Sequence, residues 1–374
     1  MEKILEYVKG NILPNDSLDL LEITSFITPP ITSNPPHLLL TEELFSKKSG
    51  MVKNAVSACV LLCLQVPKKE DTNELKIRVE EAKRNGYASF IYPMSAGATL
   101  QLPFWVLEFR DGAREVVSEK ALWRTVVQWI CSKGEVRALK YLEQLPWKDT
   151  VELWRRHYSV KDLAPLCSEK WPTSQHVDLF GQVLQDQLHS AGINSAFILK
   201  TTFLDKLLTT YRYDAMTYLE EWSTSHIQKL GEALVNVTYA KIAMSVSVRI
   251  KAGRTALPTN SEPGNHWVTV ILNVETLSIL YGDSYRLPPP TELHDMLQWW
   301  LSHHRAETFQ WADLPTSLQS DNFSCSILSV NGMAHVLLPT VFPLIPEESC
   351  ISACIDMLIL IVNCLKQTSS VGDE

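Results

Sequence analysis

The sequence predicts an α+β protein of two domains: a smaller α+β domain over residues 1–158, and a second over residues 159–374 with a central mixed sheet flanked by helices. Two observations favour this class. Two β-rich runs, residues 265–274 and 277–284, are joined by a tight turn and are expected to pair as a hairpin. The apolar segment 327–338 contains neither proline nor a central charge and is expected to form a buried helix.

The composition is that of a soluble globular protein, with 45% apolar and 20% charged residues. A net charge of -8 and the lack of a long basic run argue against nucleic acid as the main partner. The apolar run 351–365 is interrupted by Asp356 and Asn363 and is short for a membrane span, so no membrane partner is expected. The first residues lack a signal-peptide core, which favours an intracellular location in the nucleus or cytoplasm. The sequence does not predict the oligomeric state.

The eight cysteines predict no metal site. Cys59 and Cys63, like Cys350 and Cys354, lie four residues apart inside apolar runs, which is a core-helix spacing rather than a zinc-binding one. The chain also contains no phosphate-binding loop, zinc-protease helix or Cys-x-x-Cys pair. We therefore expect no cofactor.

The first domain carries no motif with recognisable chemistry. A proline-rich stretch over residues 29–36 predicts a stiff, extended connector. Residues 100–109 are a strand candidate that ends in a turn at Asp111-Gly112. Ser118 then has the position of an N-cap for the helix that follows.

In the second domain, Trp171 leads into an amphipathic helix, and residues 213–235 are expected to be helical as well. Residues 240–250 are a strand candidate. In the predicted hairpin, His266 opens the first strand and Asp283 closes the second. Because these positions lie at the same end of an antiparallel pair, the two side chains are expected to be neighbours.

Cys325 lies at or just inside the N-terminus of the predicted buried helix, with Ser324 or Asn322 as the possible cap. A thiol there faces free backbone N–H groups and the positive end of the helix dipole, which favour the thiolate. Gln319 stands six residues earlier. Taken alone, such a cysteine is more often an ordinary core residue, and such a glutamine usually faces solvent.

A cysteine peptidase needs a thiolate, an imidazole, a group that orients the imidazole, and donors for the oxyanion. The chain offers all four, as His266, Asp283, Gln319 and Cys325 in chain order. Each has an ordinary structural alternative, but chance matches would seldom also reproduce this order on strand, strand, loop and helix. The ensemble therefore predicts a catalytic site.

These motifs resemble the ubiquitin-like-protein proteases, the SUMO-deconjugating and adenovirus-protease class of papain-like cysteine peptidases. The resemblance rests on His-Trp in a strand, Asp-Ser about seventeen residues later in its neighbour, and Gln-x5-Cys opening a helix. It covers roughly residues 160–365, because Trp171 with its helix is similar to the family's Trp-Leu-Asn-Asp opening. Residues 201–207 are similar to the family's Asn-Thr-Phe-Phe-x-x-Leu segment.

The resemblance implies a role for each residue. Cys325 would be the nucleophile, His266 the general base and then acid, and Asp283 the group that orients the ring. Gln319, with the Cys325 backbone N–H, would hold the oxyanion. Trp267 and Trp171 would clamp the diglycine tail of the substrate. The alternative for both is core packing. The implied partner is a ubiquitin-like modifier (SUMO, ubiquitin or a related protein) and its conjugates.

The chain also departs from the family pattern. Ser324 and Ser326 replace the usual Asp before and Gly after the nucleophile, and Ser326 is expected to add bulk near the substrate. Residues 172–174 replace the usual Leu-Asn-Asp. The pattern predicts a divergent member of the family. Two alternatives stay open: a catalytically silent module that binds a ubiquitin-like protein, and, with less support, an acyltransferase of the same fold group.

Overall fold

The computed structural model describes residues 13–28, 44–47, 58–64, 69–93, 99–148, 150–153, 156–213, 215–220 and 225–370. The chain divides into two compact units, Met1–Ala164 and Pro165–Glu374. The proline-rich connector predicted over residues 29–36 lies outside the described residues.

The first unit contains a three-stranded antiparallel sheet in the order β1-β2-β3 and a separate hairpin, β4-β5. Its helices are α1 (Leu20–Ser25), α2 (Ala58–Cys63), α3 (Lys69–Arg84), α4 (Val106–Ser132) and α5 (Leu139–Leu142). Its strands are β1 (Phe45–Ser46), β2 (Ser89–Pro93), β3 (Thr99–Pro103), β4 (Thr150–Leu153) and β5 (Arg156–Ser159). Short 3-10 helices span Val136–Ala138 and Val160–Cys167.

The prediction for residues 100–118 is wrong after the first few positions. The strand β3 ends at Pro103, and the long helix α4 already begins at Val106, so Asp111-Gly112 and Ser118 lie inside a helix. A methyl group on Gly112 would come within 2.7 Å of Leu13, so the glycine serves close packing here rather than a turn. That contact joins distant parts of the sequence, and local turn signals do not report it.

The second unit is built on a six-stranded mixed sheet in the order β11-β10-β9-β7-β6, with β8 added to β7. The strands are β6 (Ala196–Ile198), β7 (Lys241–Lys251), β8 (Arg254–Ala256), β9 (His266–Asn273), β10 (Ser278–Gly282) and β11 (Gln310–Asp313). The helices are α6 (Ser174–Ser190), α7 (Thr201–Tyr213), α8 (Ser225–Val235), α9 (Thr291–Ser302), α10 (Cys325–Leu337) and α11 (Cys350–Ser370). A 3-10 turn covers Glu347–Ser349.

This architecture confirms the predicted α+β class, with a central mixed sheet flanked by helices and Cys325 opening a buried helix. The pair β9–β10 is the predicted hairpin, antiparallel and in register from Asn273 opposite Ser278 to Thr269 opposite Gly282. The helix predicted over residues 213–235 is wrong in its first half. A turn at residues 215–220 interrupts it and places Tyr218 in the core.

Helix α10 is buried along nearly its whole length, whereas α11 keeps one side half-exposed. In the described part of the chain one stretch, Glu347–Leu365, is long and apolar enough to cross a membrane, and 39% of it is buried in the protein. Core helices of soluble proteins meet the same test of length and composition. The expectation of no membrane partner therefore stays a prediction.

Candidate active site

The end of the β9–β10 hairpin brings an imidazole and a carboxylate together. Extending the register by one position puts Asp283 opposite Val268, two residues along β9 from His266, so the two side chains are diagonal neighbours on one face. The Nε2–H of His266 donates to Oδ1 of Asp283 at 2.8 Å, and both side chains are almost fully buried. A buried carboxylate in this position fixes both the orientation and the tautomer of the ring.

Tyr285 completes this corner of the site and was not predicted from the sequence. Its ring stacks on His266 with the centroids 4.8 Å apart, and its backbone N–H donates to Oδ1 of Asp283 at 2.7 Å. Its hydroxyl donates to the backbone oxygen of Asp321 at 2.7 Å. Tyr285 thereby links the loop that carries the carboxylate to the loop that precedes Cys325.

Cys325 is the first residue of α10, and its sulfur lies close enough to the His266 ring to raise the pKa of the ring. Because Asp283 holds Nε2, Nδ1 is the ring nitrogen left for the sulfur. Helix α10 is locked to the sheet by a polar ladder, in which Thr269 on β9 donates to the Ser329 carbonyl at 2.6 Å. Ser329 then donates to the Ser245 hydroxyl on β7 at 3.0 Å. Ser329 lies one helical turn after Cys325, and Thr269 lies three residues after His266 on β9. These buried bonds therefore fix α10 against the sheet close to both site residues.

The electrostatics of the site favour a charged pair formed by the His266 imidazolium and the Cys325 thiolate. Burial alone would lower the pKa of His266, but hydrogen bonds to Asp283 and Cys325, with the negative charges of both, outweigh it and raise the pKa to about 9. The ring is therefore an imidazolium at neutral pH, and a cation beside the sulfur stabilises its nucleophilic thiolate form. The resulting stabilisation of the fold is complete below the ordinary histidine pKa of 6.5 and is lost as the pH rises through about 9.

The turn before α10 is organised by Asp321 rather than by the predicted caps. Ser324 does occupy the N-cap position, but its side chain makes no capping bond to the helix. Instead, the Asp321 carboxylate accepts the backbone N–H groups of Phe323 and Ser324 at 3.0 and 2.8 Å, and the Ser324 hydroxyl as well. An aspartate three residues before the N-cap of a helix is the sequence signal that identifies such a turn.

Gln319 lies next to this turn and is held from both sides. Its Oε1 accepts the Ser284 hydroxyl at 2.8 Å, and its Nε2 donates one hydrogen to Asp321 at 3.1 Å. A side-chain amide carries two N–H donors. The second has no hydrogen-bond partner among the described residues and is free for a ligand oxygen.

Trp171 lies directly on the sulfur. Its indole N–H points at the Cys325 Sγ, with nitrogen and sulfur 2.8 Å apart, and Cys325 is only 1% exposed. The candidate nucleophile is thus covered in this structure. Trp171 is one of the side chains that cover it.

We expect Trp171→Ala to raise the rate at which iodoacetamide alkylates Cys325 by about tenfold, because the cover and the hydrogen bond to the thiolate are both lost. Mass spectrometry gives the rate for Cys325 and, in the same sample, for the exposed Cys131 as an internal reference. Trp171→Phe keeps a ring over the sulfur and should give an intermediate rate. Equal rates in all three proteins would show that Trp171 does not shield the sulfur.

Trp267, adjacent to His266, lines a groove of about 440 Å³ together with Trp171. Other walls come from the start of α7, including Thr201 and Leu204. Trp267 is 6% exposed, and its indole N–H has no hydrogen-bond partner among the described residues. Both tryptophans assigned to the substrate clamp therefore share one groove, and Trp171 also contacts the sulfur.

Ser326 follows the candidate nucleophile in α10, and its side chain is completely buried. The expected bulk near the substrate stays a prediction. Its hydroxyl has no hydrogen-bond partner in the described part of the chain. A buried hydroxyl without a partner carries an unrecovered desolvation cost.

Ser326→Ala is accordingly expected to raise the free energy of unfolding by about 1 kcal/mol. Urea unfolding should show a higher midpoint with an unchanged slope. A drop in stability would mean that the hydroxyl is satisfied in solution.

A buried thiol, imidazole and carboxylate at a helix N-terminus, with a free amide donor nearby, form the kind of site that cysteine hydrolases use. All four residues predicted for the chemistry thus lie around one helix start, in one unit. Among the described residues, no group of three His, Cys, Asp or Glu side chains is placed to hold a metal ion.

The chain matches no family model, and no curated protein is significantly similar to it. Solved structures do show similarity. The C-terminal Ulp1 protease domain in complex with Smt3, the yeast ortholog of SUMO, is 14% identical over 58% of this chain and 88% of its own, with a TM-score of 0.43. The Xanthomonas campestris effector XopD bound to ubiquitin is 15% identical over 51% of this chain and 91% of its own, with a TM-score of 0.34.

The pS273R protease of ASFV is 13% identical over 84% of this chain and 97% of its own, with a TM-score of 0.33. These structures include SUMO proteases, the group that the sequence motifs resemble. Similarities of this size do not assign an activity to the chain.

Proposed function

We propose that this protein is a divergent cysteine peptidase of the ubiquitin-like-protein protease type, which cleaves after the C-terminal diglycine of SUMO, ubiquitin or a related modifier. The observation that carries the proposal is the convergence of Cys325, His266 and Asp283. The sulfur stands at the start of a buried helix, close to an imidazole that a buried carboxylate holds through Nε2 at 2.8 Å. Three such groups in contact are what nucleophilic catalysis by a thiolate requires.

The residues support a two-step reaction. The Cys325 thiolate attacks the carbonyl carbon of the terminal glycine, and the oxyanion accepts hydrogen bonds from the free Gln319 N–H and the Cys325 backbone N–H. The His266 imidazolium gives its proton to the leaving amine as the C–N bond breaks, which leaves a thioester on Cys325. The neutral imidazole then takes a proton from water, and the resulting hydroxide attack releases the modifier as a free acid and restores the thiolate.

The groove gives the specificity for a diglycine end. In this proposal the two indoles, Trp171 and Trp267, line the passage for the tail and favour residues without side chains. The unpartnered N–H of Trp267 offers a hydrogen bond to a backbone oxygen of the tail.

A second candidate function is a silent module that binds a ubiquitin-like protein without cleaving it. The near-complete burial of the Cys325 sulfur under Trp171 favours it. Binding with full affinity but without any modification of Cys325 would select this alternative.

The test is covalent labelling. The purified full chain is incubated with SUMO and ubiquitin that carry a C-terminal vinyl sulfone, and intact mass and peptide mapping follow. We expect one adduct per chain, on Cys325, with at least one of the probes. Probes that lack the last two glycines are the control and should not react. No adduct with any probe, or an adduct on another cysteine, would overturn the proposal.

A further inference from the structure

The groove beside the candidate active site carries a single ionisable side chain, Asp205. The other lining residues are aromatic, apolar or hydroxyl-bearing, with prolines and a glycine; examples are Trp171, Trp267, Thr201 and Ser247. Asp205 lies on the exposed side of α7, directly after the buried Leu204. Asp205 is therefore the one ionisable group among the described residues that line this groove.

This carboxylate has no cationic partner among the described residues. No ion pair to it is formed in this part of the chain, whereas Glu262, near another wall of the groove, is paired with Arg249 at 2.5 Å and Lys251 at 3.4 Å. The neighbouring Asp178 is already engaged, because it accepts the Thr201 backbone N–H at 2.6 Å. Partial burial and the negative charge of Asp178 raise the pKa of Asp205, so its carboxylate form is hydrated but lacks the compensation of a nearby cation.

A cation supplied by the ligand would provide that compensation. A guanidinium or ammonium beside Asp205 gains a charge-assisted hydrogen bond in a partly enclosed site, where a neutral side chain gains little. A second carboxylate in the same place would be repelled. The groove is thus complementary to a tail that is slender at its end and basic a short distance before it.

We propose that Asp205 selects ubiquitin-like modifiers that carry an arginine or lysine shortly before the terminal diglycine. This selection rests on the proposed function, since it assumes that the tail enters this groove towards Cys325. Asp205 is a specificity-determining residue in this account and takes no part in bond cleavage.

The test uses the vinyl-sulfone modifier that labels Cys325. The modifier is semisynthesised with arginine, glutamine or glutamate at each of the three positions before its diglycine, and the second-order rate of labelling is measured. We expect the arginine form to react about fivefold faster than the glutamine form at one of these positions, the effect of one partly exposed ion pair. The glutamate form should be the slowest.

Variants that change the charge at residue 205 then test whether Asp205 sets the preference for a basic tail. Because the readout is a ratio of two labelling rates, a general loss of folded protein does not change it. Asp205→Asn should bring the arginine-to-glutamine ratio close to one, and Asp205→Lys should invert the order so that the glutamate form reacts fastest. Glu275→Gln, which removes one exposed negative charge at the far turn of the β9–β10 hairpin, is the matched control and should leave the ratio unchanged.

Equal labelling of arginine and glutamine forms at all three positions would overturn the selection by Asp205 and leave the proposed function intact. Failure of every modifier to label Cys325 would overturn both. A ratio that persists in Asp205→Asn would assign the selectivity to another residue.

Discussion

Cys325→Ser is expected to lower the second-order rate of diglycine-probe labelling by about 10⁴-fold or more. The hydroxyl is nearly the same size as the thiol, so the buried start of α10 keeps its packing. A serine oxygen, however, is not ionised beside His266 at neutral pH and is a poor nucleophile. Intact-mass kinetics with the vinyl-sulfone modifier measure the effect.

The control is Cys131→Ser, which removes an exposed thiol from α4 and should label like the unmodified protein. Labelling of Cys325→Ser at a rate within tenfold of the unmodified protein would place the reactive thiol elsewhere in the chain.

His266→Gln is expected to lower the same rate by about 10³-fold, the usual effect of losing a positioned general base. The glutamine amide can still donate to Asp283 at the end of β9, but it carries no positive charge and transfers no proton. His294→Gln on α9 is the matched control, since His294 is exposed and stands next to Asp295. Its labelling rate should stay unchanged.

Circular dichroism and urea unfolding check that the His266 variant is folded, because Asp283 loses a buried charged partner in it. A folded His266→Gln protein that labels as fast as the original would exclude His266 from the chemistry.

The second unit was the more predictable part of the fold, for a physical reason. Strands such as β9 and β10 carry their own signal in β-rich runs on both sides of a tight turn, and the hairpin fixes which ends meet. The neighbourhood of His266 and Asp283 therefore follows from local sequence and antiparallel register alone. The buried helix α10 is equally predictable from its apolar composition.

What could not be predicted depends on contacts between distant parts of the chain. Gly112 is indistinguishable in sequence from a turn glycine until Leu13 is seen packed against it. Tyr285 stacks on His266 only because the register beyond β10 places it there, and the position of Trp171 on the sulfur joins residues 154 apart in sequence.

The most direct test of the central claim is the pH dependence of Cys325 alkylation by iodoacetamide, followed by mass spectrometry between about pH 5.5 and 10 in the unmodified protein and in His266→Gln. If the imidazolium at His266 holds the sulfur as a thiolate, the rate at Cys325 is already at its plateau at neutral pH. The plateau then disappears in the variant, while the exposed Cys131, as the internal reference, is alkylated at the same rate in both proteins at each pH. A Cys325 rate with no plateau near neutral pH, and with the same pH dependence in both proteins, would contradict the account.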